Sequence, residues 1–312
     1  MNGDEIMKAI DIHAHIFSRV NGHNNKGTVV SEHWGRVING GKTEPFMPPL
    51  SDHTSFCTEN LLEMMKRSDV EKAVLLQNPT IGCINEEIMD AVERYPDVFA
   101  GVIQVDPFGA DAVRRLEELA DTGRFRALKL EMSDDWGWLA VHPRMLFNYE
   151  TIYPLIRAAA SRGLHVIIDT GATGGSAYLP EQFENMVRKF GDTCFIFEHM
   201  GYLTLGGDRK KHRELLKLGV LDNVRFGISA MAQLLAEEYP CPTAISGLRE
   251  AYEMMGADKL LWGSDCPTTL NRYTYQQMKD MVELHALFLT EEDKRKILYD
   301  NGNKLFFNQG TS

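Results

Sequence analysis

Short apolar, β-branched runs alternate along most of the chain with longer stretches whose apolar residues recur at three- and four-residue spacing. The runs are AIDIHAHI (9–16), KAVLLQ (72–77), FAGVIQVD (99–106), RALKLEM (126–132), HVIIDTG (165–171), CFIFEHMG (194–201), VRFGIS (224–229) and LLWGSDCP (260–267). Each has the length and composition of a buried strand. Between them TENLLEMMKRSD, NEEIMDAVERY, DAVRRLEELADTG, YETIYPLIRAAASRG and PEQFENMVRKFG carry a helical apolar stripe and often stop at glycine. Such alternation predicts an α/β fold with a parallel sheet. Eight strand units in a chain of 312 residues, with no glycine-rich phosphate turn after the first, fit a (β/α)8 TIM barrel better than an open doubly wound sheet.

Residues 17–58 break the alternation. They are polar, contain glycine and proline, and include His23, His33 and His53. A segment that long reads as a lid-like loop insertion following the first strand, over the barrel mouth. Residues 289–312 read as a C-terminal helical closure that opens on the cap Thr290. With no repeat, low-complexity tract or linker, residues 1–312 read as one barrel domain.

Composition narrows the function classes. A net charge of −11 argues against nucleic acid as a partner, because phosphate binding relies on clustered lysine and arginine. No apolar stretch approaches the roughly 20 residues of a membrane span, and the start MNGDEIMKAID lacks the order of a signal peptide. The expectation is therefore a cytoplasmic protein acting on a small molecule. Five scattered cysteines without a CxxC pair fit neither a disulfide framework nor a thiolate zinc site, and are taken as reduced.

The chemistry lies where strands give way to loops, the catalytic face of such a barrel. Those positions are polar: His13 and His15 on the first strand, Lys129 and Glu131 on the fourth, Asp169 on the fifth, His199 on the sixth and Asp265 on the eighth. Strand periodicity places His13 and His15 on one face, with Asp11 one step earlier on the same face. An isolated HxH is equally well a hydrogen-bonded core histidine next to a solvated one. Donors from five strands, each costly to bury unpaired, point instead to a metal site.

In DIHAHIF, EHMG and LLWGSDCP the chain resembles the amidohydrolase superfamily, specifically the branch of small metal-dependent hydrolases and aminocarboxymuconate-semialdehyde-type decarboxylases. LLEMMKRSDVEKAVLLQ and KILYDNGNKLF support the likeness, which spans nearly the whole chain. The resemblance implies that His13 and His15 are metal ligands and that Asp265 is both ligand and proton acceptor. It also implies that His199 polarises substrate or water. One position departs. Where members usually end the fifth strand in His-x-Gly, this chain has HVIIDTG, with Asp169 at the ligand position and His165 too early on the strand to reach it. A site of two imidazoles and two carboxylates would hold one divalent metal ion, zinc or manganese, with magnesium a further option. Alternatively Asp169 does not ligate, and the metal is weakly held or absent. Binuclear relatives carboxylate a fourth-strand lysine; without the fifth-strand histidine a mononuclear site is favoured, leaving Lys129 and Glu131 to contact substrate or each other.

Two reactions fit these parts. In the first, activated water attacks an ester, lactone or amide of a small, carboxylate-bearing molecule, with Asp265 taking the proton and His199 stabilising the developing charge. The alternative is metal-dependent non-oxidative decarboxylation of a small aromatic or unsaturated acid. A third reading is a metal-free binding protein on the same scaffold. For substrate contacts the expected residues are Lys129, Glu131, Trp138, His142, Arg209 and Arg272, with Trp136 in the same aromatic wall. A homodimer is the default assembly expected of such barrels.

Overall fold

The computed structural model describes residues 7–308. The N-terminal start and the end of the helical closure, residues 1–6 and 309–312, lie outside them. Eight parallel strands follow one another around a single sheet: Ala9–His15, Val70–Leu76, Phe99–Ile103, Phe125–Glu131, His165–Asp169, Phe195–Phe197, Val224–Gly227 and Leu260–Leu261. Each neighbours its predecessor, and the last returns to the first. That seam is closed by Ile12 N donating to Trp262 O (3.0 Å), Asp265 N to His13 O (2.7 Å) and His15 N to Cys266 O (3.0 Å). The sheet is thus the TIM barrel that the alternation predicts, and the five amphipathic stretches form the helices Thr58–Arg67, Asn85–Arg94, Ala112–Ala120, Tyr153–Ala160 and Pro180–Lys189.

Two apolar layers hold it together. Inside the barrel Ile10, Ile12, Val74, Val102, Ile167 and Ile196 pack on one another. Phe306, from the C-terminal helix Asn301–Phe306, joins this inner cluster. A larger layer joins the outer strand faces to the helices. The described cysteines are all free, and no helix among the described residues is long and apolar enough to cross a membrane.

The first strand corrects the periodicity argument. Its pairing with the second slips between Asp11 and Ala14. Ile10 and Ile12 face the barrel interior, yet beyond the slip it is His13 and His15 that face the central cavity. Asp11 is turned outward instead. Its carboxylate accepts from Ser264 N (2.9 Å), Ser264 Oγ (2.6 Å), Tyr275 Oη (2.7 Å) and His13 N (3.0 Å), which ties the first strand to the eighth and to the helix Tyr275–Glu283.

The segment after the first strand is not a loop. Asn21–Asn24, Gly27–Ser31, Arg36–Asn39 and Lys42–Pro45 form a four-stranded antiparallel sheet. Asn39 pairs with Lys42 across the two-residue turn Gly40–Gly41, and both glycines have positive φ (55° and 82°), as a type I′ hairpin needs. This sheet stands as a wall of the barrel mouth.

The Asp11 cluster yields a stability prediction. Asp11→Ala strands four buried donors and should cost about 3 kcal/mol in urea denaturation, whereas Tyr275→Phe, which removes a single hydroxyl, should cost about 1 kcal/mol. Equal costs would mean that Asp11 does not act as the shared acceptor.

Candidate metal centre

His13, His15 and Asp265 converge at the seam. His13 Nε2 lies 3.2 Å from His15 Nε2 and 3.3 Å from Asp265 Oδ1, and His15 Nε2 lies 3.1 Å from the same oxygen. Donors about 2.1 Å from a first-row divalent ion stand roughly 3.0 Å apart at right angles and roughly 3.4 Å apart at tetrahedral angles. The observed separations fall between these. The far nitrogens are already engaged: His15 Nδ1 donates to Leu76 O (2.9 Å), while His13 Nδ1 lies between Glu198 Oε1 (3.1 Å) and Ser229 Oγ (3.2 Å). Both rings therefore present an Nε2 lone pair to the same point, as ligating histidines do. Burial lowers His13 to about 4, so it stays neutral. Burial would raise the Asp265 carboxyl, but the histidines around it hold it well below the usual carboxylate range.

A second group lies beside the first, and His199 links the two. Ligand atoms of His13, His199 and Asp265 all fall within 4.8 Å of one another, as do those of Asp169, Glu198 and His199. Asp169 accepts from Gly171 N (2.7 Å), and its other oxygen is 3.4 Å from His199 Nε2. Ser229 Oγ is 3.0 Å from His199 Nδ1 and so bridges the two imidazoles. Although burial disfavours its charge, Asp169 and the neighbouring carboxylates raise His199 to about 10. Asp169 falls to about 2 because His199 and Lys129 outweigh its own burial.

Glu198 is the residue that the sequence reading missed. It is fully buried, with Oε2 3.0 Å from Lys129 Nζ and Oε1 at the His13 ring. These are ion-pair distances without hydrogen-bond alignment. Lys129 Nζ also reaches Glu131 Oε2 at 3.1 Å, so these two residues contact each other, one of the two roles expected for them. The carboxylates keep Lys129 an ammonium despite its burial, and burial raises Glu131 to about 8. An ammonium paired twice has no free amine to carboxylate. The signal for Glu198 was present: it follows Ile196 by two on an inward-facing register, as Asp169 follows Ile167.

The donors line a cavity of about 330 Å³, the size of a small-molecule site. Its upper wall comes from the antiparallel sheet through Val29, Val37, Asn39 and Glu44, and Trp136 and Tyr202 complete other sides. Lys129 is the only lysine or arginine among the described residues lining it. Of the expected substrate contacts, Lys129 and Glu131 reach the cavity and four do not. Arg209 pairs with Glu250 on the surface, and Arg272 is exposed to solvent. Trp138 is buried behind the wall, with His142 stacked on it (6.5 Å) and bonded to Asp106 (2.9 Å). His165 is at the opposite end of its strand, bonded to Leu305 O (3.0 Å).

Solved structures share this architecture at low identity. A probable 2-pyrone-4,6-dicarboxylic acid hydrolase from Acinetobacter baumannii, with citric acid bound, superposes with a TM-score of 0.69 at 17% identity over 96% of this chain and 99% of that one. An amidohydrolase from Burkholderia multivorans with bound zinc gives 0.67 at 13% over 96% and 98%. A 2,6-dihydroxybenzoate decarboxylase in complex with 2,6-dihydroxybenzoate gives 0.61 at 14% over 82% and 90%. Comparison with curated proteins gives no match. The sequence profile described as amidohydrolase matches residues 10–307, from the first strand to the closing helix, and the chain belongs to that family.

Proposed function

We propose that the protein is a metal-dependent hydrolase that cleaves an ester, lactone or amide of a small molecule, with one divalent ion held by His13, His15 and Asp265. The observation that carries this reading is the convergence of two Nε2 atoms and one carboxylate oxygen at 3.1–3.3 Å, with the far nitrogens already bonded. Asp169 leaves the ligand set in this reading, since its oxygens are engaged by Gly171 N and His199.

A divalent ion held by His13, His15 and Asp265 would lower the pKa of water and polarise a carbonyl oxygen. The chain's own groups supply the rest. Asp265, fully ionised, accepts the proton released when water attacks. His199, held by Asp169 and Ser229, presents its ring to the cavity beside the oxygen that becomes negative. Glu198, anchored by Lys129, fixes the His13 tautomer. The cavity walls, apolar at Val29, Val37, Phe46 and Ile81, position the substrate and exclude water.

The expectation of a carboxylate-bearing substrate is withdrawn in this reading. The cations expected to meet such a group, Arg209 and Arg272, do not line the cavity, and Lys129 is already paired with two carboxylates.

Elemental analysis of protein purified without chelators should find close to one equivalent of divalent metal. His13→Ala and His15→Ala should lose nearly all of it, and Asp169→Asn should keep most. Loss in Asp169→Asn would restore the aspartate as a fourth ligand; no metal in wild type, even after reconstitution, would remove this mechanism.

Metal-loaded protein should hydrolyse members of a panel of neutral esters, lactones and amides, and stripping the metal should abolish turnover. Carbon dioxide release from aromatic acids in the same assay, without hydrolysis, would replace the reading with a decarboxylase.

Glu198→Gln keeps the shape but removes the charge that holds His13. Metal dissociation constants measured with a chelator dye should weaken at least about 10-fold. An unchanged constant would confine Glu198 to neutralising Lys129.

A further inference from the structure

The sixth strand delivers His199 to the cavity by an unusual route. Strand alternation from Ile196 sends Glu198 inward and would send the next residue outward. Instead His199, Met200, Gly201 and Tyr202 all adopt positive φ (52°, 54°, 67° and 63°), one turn of left-handed helix. Such a conformation is strained for bulky side chains and persists only where surrounding contacts fix it. Those contacts are present. Gly201 N donates to Glu198 O (2.8 Å), Tyr178 Oη to Gly201 O (3.0 Å) and His212 Nε2 to Met200 O (2.8 Å). Packing at Gly201 is close as well, because a Cβ there would stand 2.8 Å from Leu215 Cδ2, which would have to shift. The turn brings residues three apart to the same side, so His199 and Tyr202 both line the cavity, their rings 5.8 Å apart and edge to face.

Tyr202 is set apart by its hydroxyl. The hydroxyls of Tyr149, Tyr178, Tyr252, Tyr273, Tyr275 and Tyr299 all bond to protein groups. Tyr95 and Tyr153 lie beneath Arg94 and Lys189 on the outer helices. The Tyr202 hydroxyl has no hydrogen-bond partner among the described residues, and its ring faces the cavity. Several other donors around the cavity are spent on the protein. Asn39 Nδ2 bonds Glu44 (2.5 Å), Asn271 Nδ2 bonds Phe46 O (3.0 Å) and Thr268 Oγ1 bonds Asp265 O (3.1 Å). Burial, with Asp169, Glu131, Asp135 and Asp265 nearby, raises the phenol and keeps its proton in place as a donor.

We propose that Tyr202 is a substrate-contacting residue whose phenol O–H donates to an acceptor oxygen of the bound acyl group beside His199. It thereby selects substrates that present an uncharged carbonyl, ester or lactone oxygen at that point. Lys129, the one lysine or arginine among the described lining residues, is already paired with Glu131 and Glu198, so no free cationic side chain meets an anionic group there. The inference rests on the metal-dependent hydrolase reading.

The test loads the protein with cobalt(II) and titrates acetohydroxamic acid, which chelates metal as the hydroxamate through its carbonyl oxygen and its deprotonated N–O group, by visible absorption. Tyr202→Phe keeps the ring on His199, so cobalt stoichiometry and thermal midpoint should match wild type while hydroxamate affinity falls about tenfold. Tyr153→Phe should change nothing. If Tyr202→Phe does not fold, Tyr202→Met serves in its place with the same expectation. Affinity within twofold of wild type overturns the role of Tyr202 and leaves the metal reading standing, as does failure of cobalt-loaded wild type to bind the probe. Failure of wild type to take up cobalt overturns both.

Discussion

The seam between the first and last barrel strands is the constraint from which the site follows. A parallel barrel has to bring its last strand back to its first, and here that return is short: Leu260–Leu261 is the only regular part, and the rest is a run of single backbone bonds from Trp262 to Cys266. The slip between Asp11 and Ala14 lets one strand serve two purposes. Before it, Ile10 and Ile12 fill the interior; after it, His13 and His15 face the mouth. Asp265 N donates to His13 O across the same seam, so the backbone that closes the barrel also sets the distance between imidazoles and carboxylate. Gly263 is part of the fit, because a Cβ there would stand 2.7 Å from His13 Cβ.

Beneath the three donors the barrel buries a lysine among acids. Taking an ion out of water costs several kcal/mol even after relaxation, and the cost is recovered only when partners are close and numerous. Lys129 has Glu131 at 3.1 Å and Glu198 at 3.0 Å, and Asp169 adds to the field. One ammonium cannot balance all these carboxylates. The surplus negative charge is offset by protonated His199 on one side, and burial pushes Glu131 toward its neutral form on the other. The floor of the cavity thus remains acidic, which suits a resident cation and disfavours an anionic ligand approaching without one.

What was legible in the residues, and what was not, divides along a physical line. The eight strands and five helices depend on local period, and each apolar run contains an observed strand. That His13, His15, His199 and Asp265 meet at one cavity was legible because chemistry-bearing residues at strand ends have few other reasons to be there. Glu198 was hidden by the histidine after it, although its inward register was available from Ile196. The turn of Asp11 to the outside could not be read, because a register slip is a property of two paired strands. The antiparallel sheet was signalled by Asn39-Gly40-Gly41-Lys42, a hairpin turn masked by the polarity around it. Arg209 and Arg272 lie off the cavity for a different reason: a charge after a strand gives position along the chain, whereas reaching the mouth depends on where the loop folds.

The sixth strand shows how such a barrel gains a functional residue without lengthening a strand. Alternation allows one inward side chain for every two residues, which limits how densely a short strand end can furnish a site. A left-handed turn immediately after Glu198 escapes that limit, because Glu198, His199 and Tyr202 then all reach the interior within five residues. The conformation is unfavourable for His199, Met200 and Tyr202, and its cost is met by contacts remote from any ligand: Tyr178 and His212 on the turn's carbonyls, and Met200 packed in the core. Strain is therefore held by the scaffold and not by the substrate, so His199 is oriented before anything binds. That ordering is what electrostatic stabilisation of a developing charge requires, since a donor that must first reorganise gives back part of what it contributes.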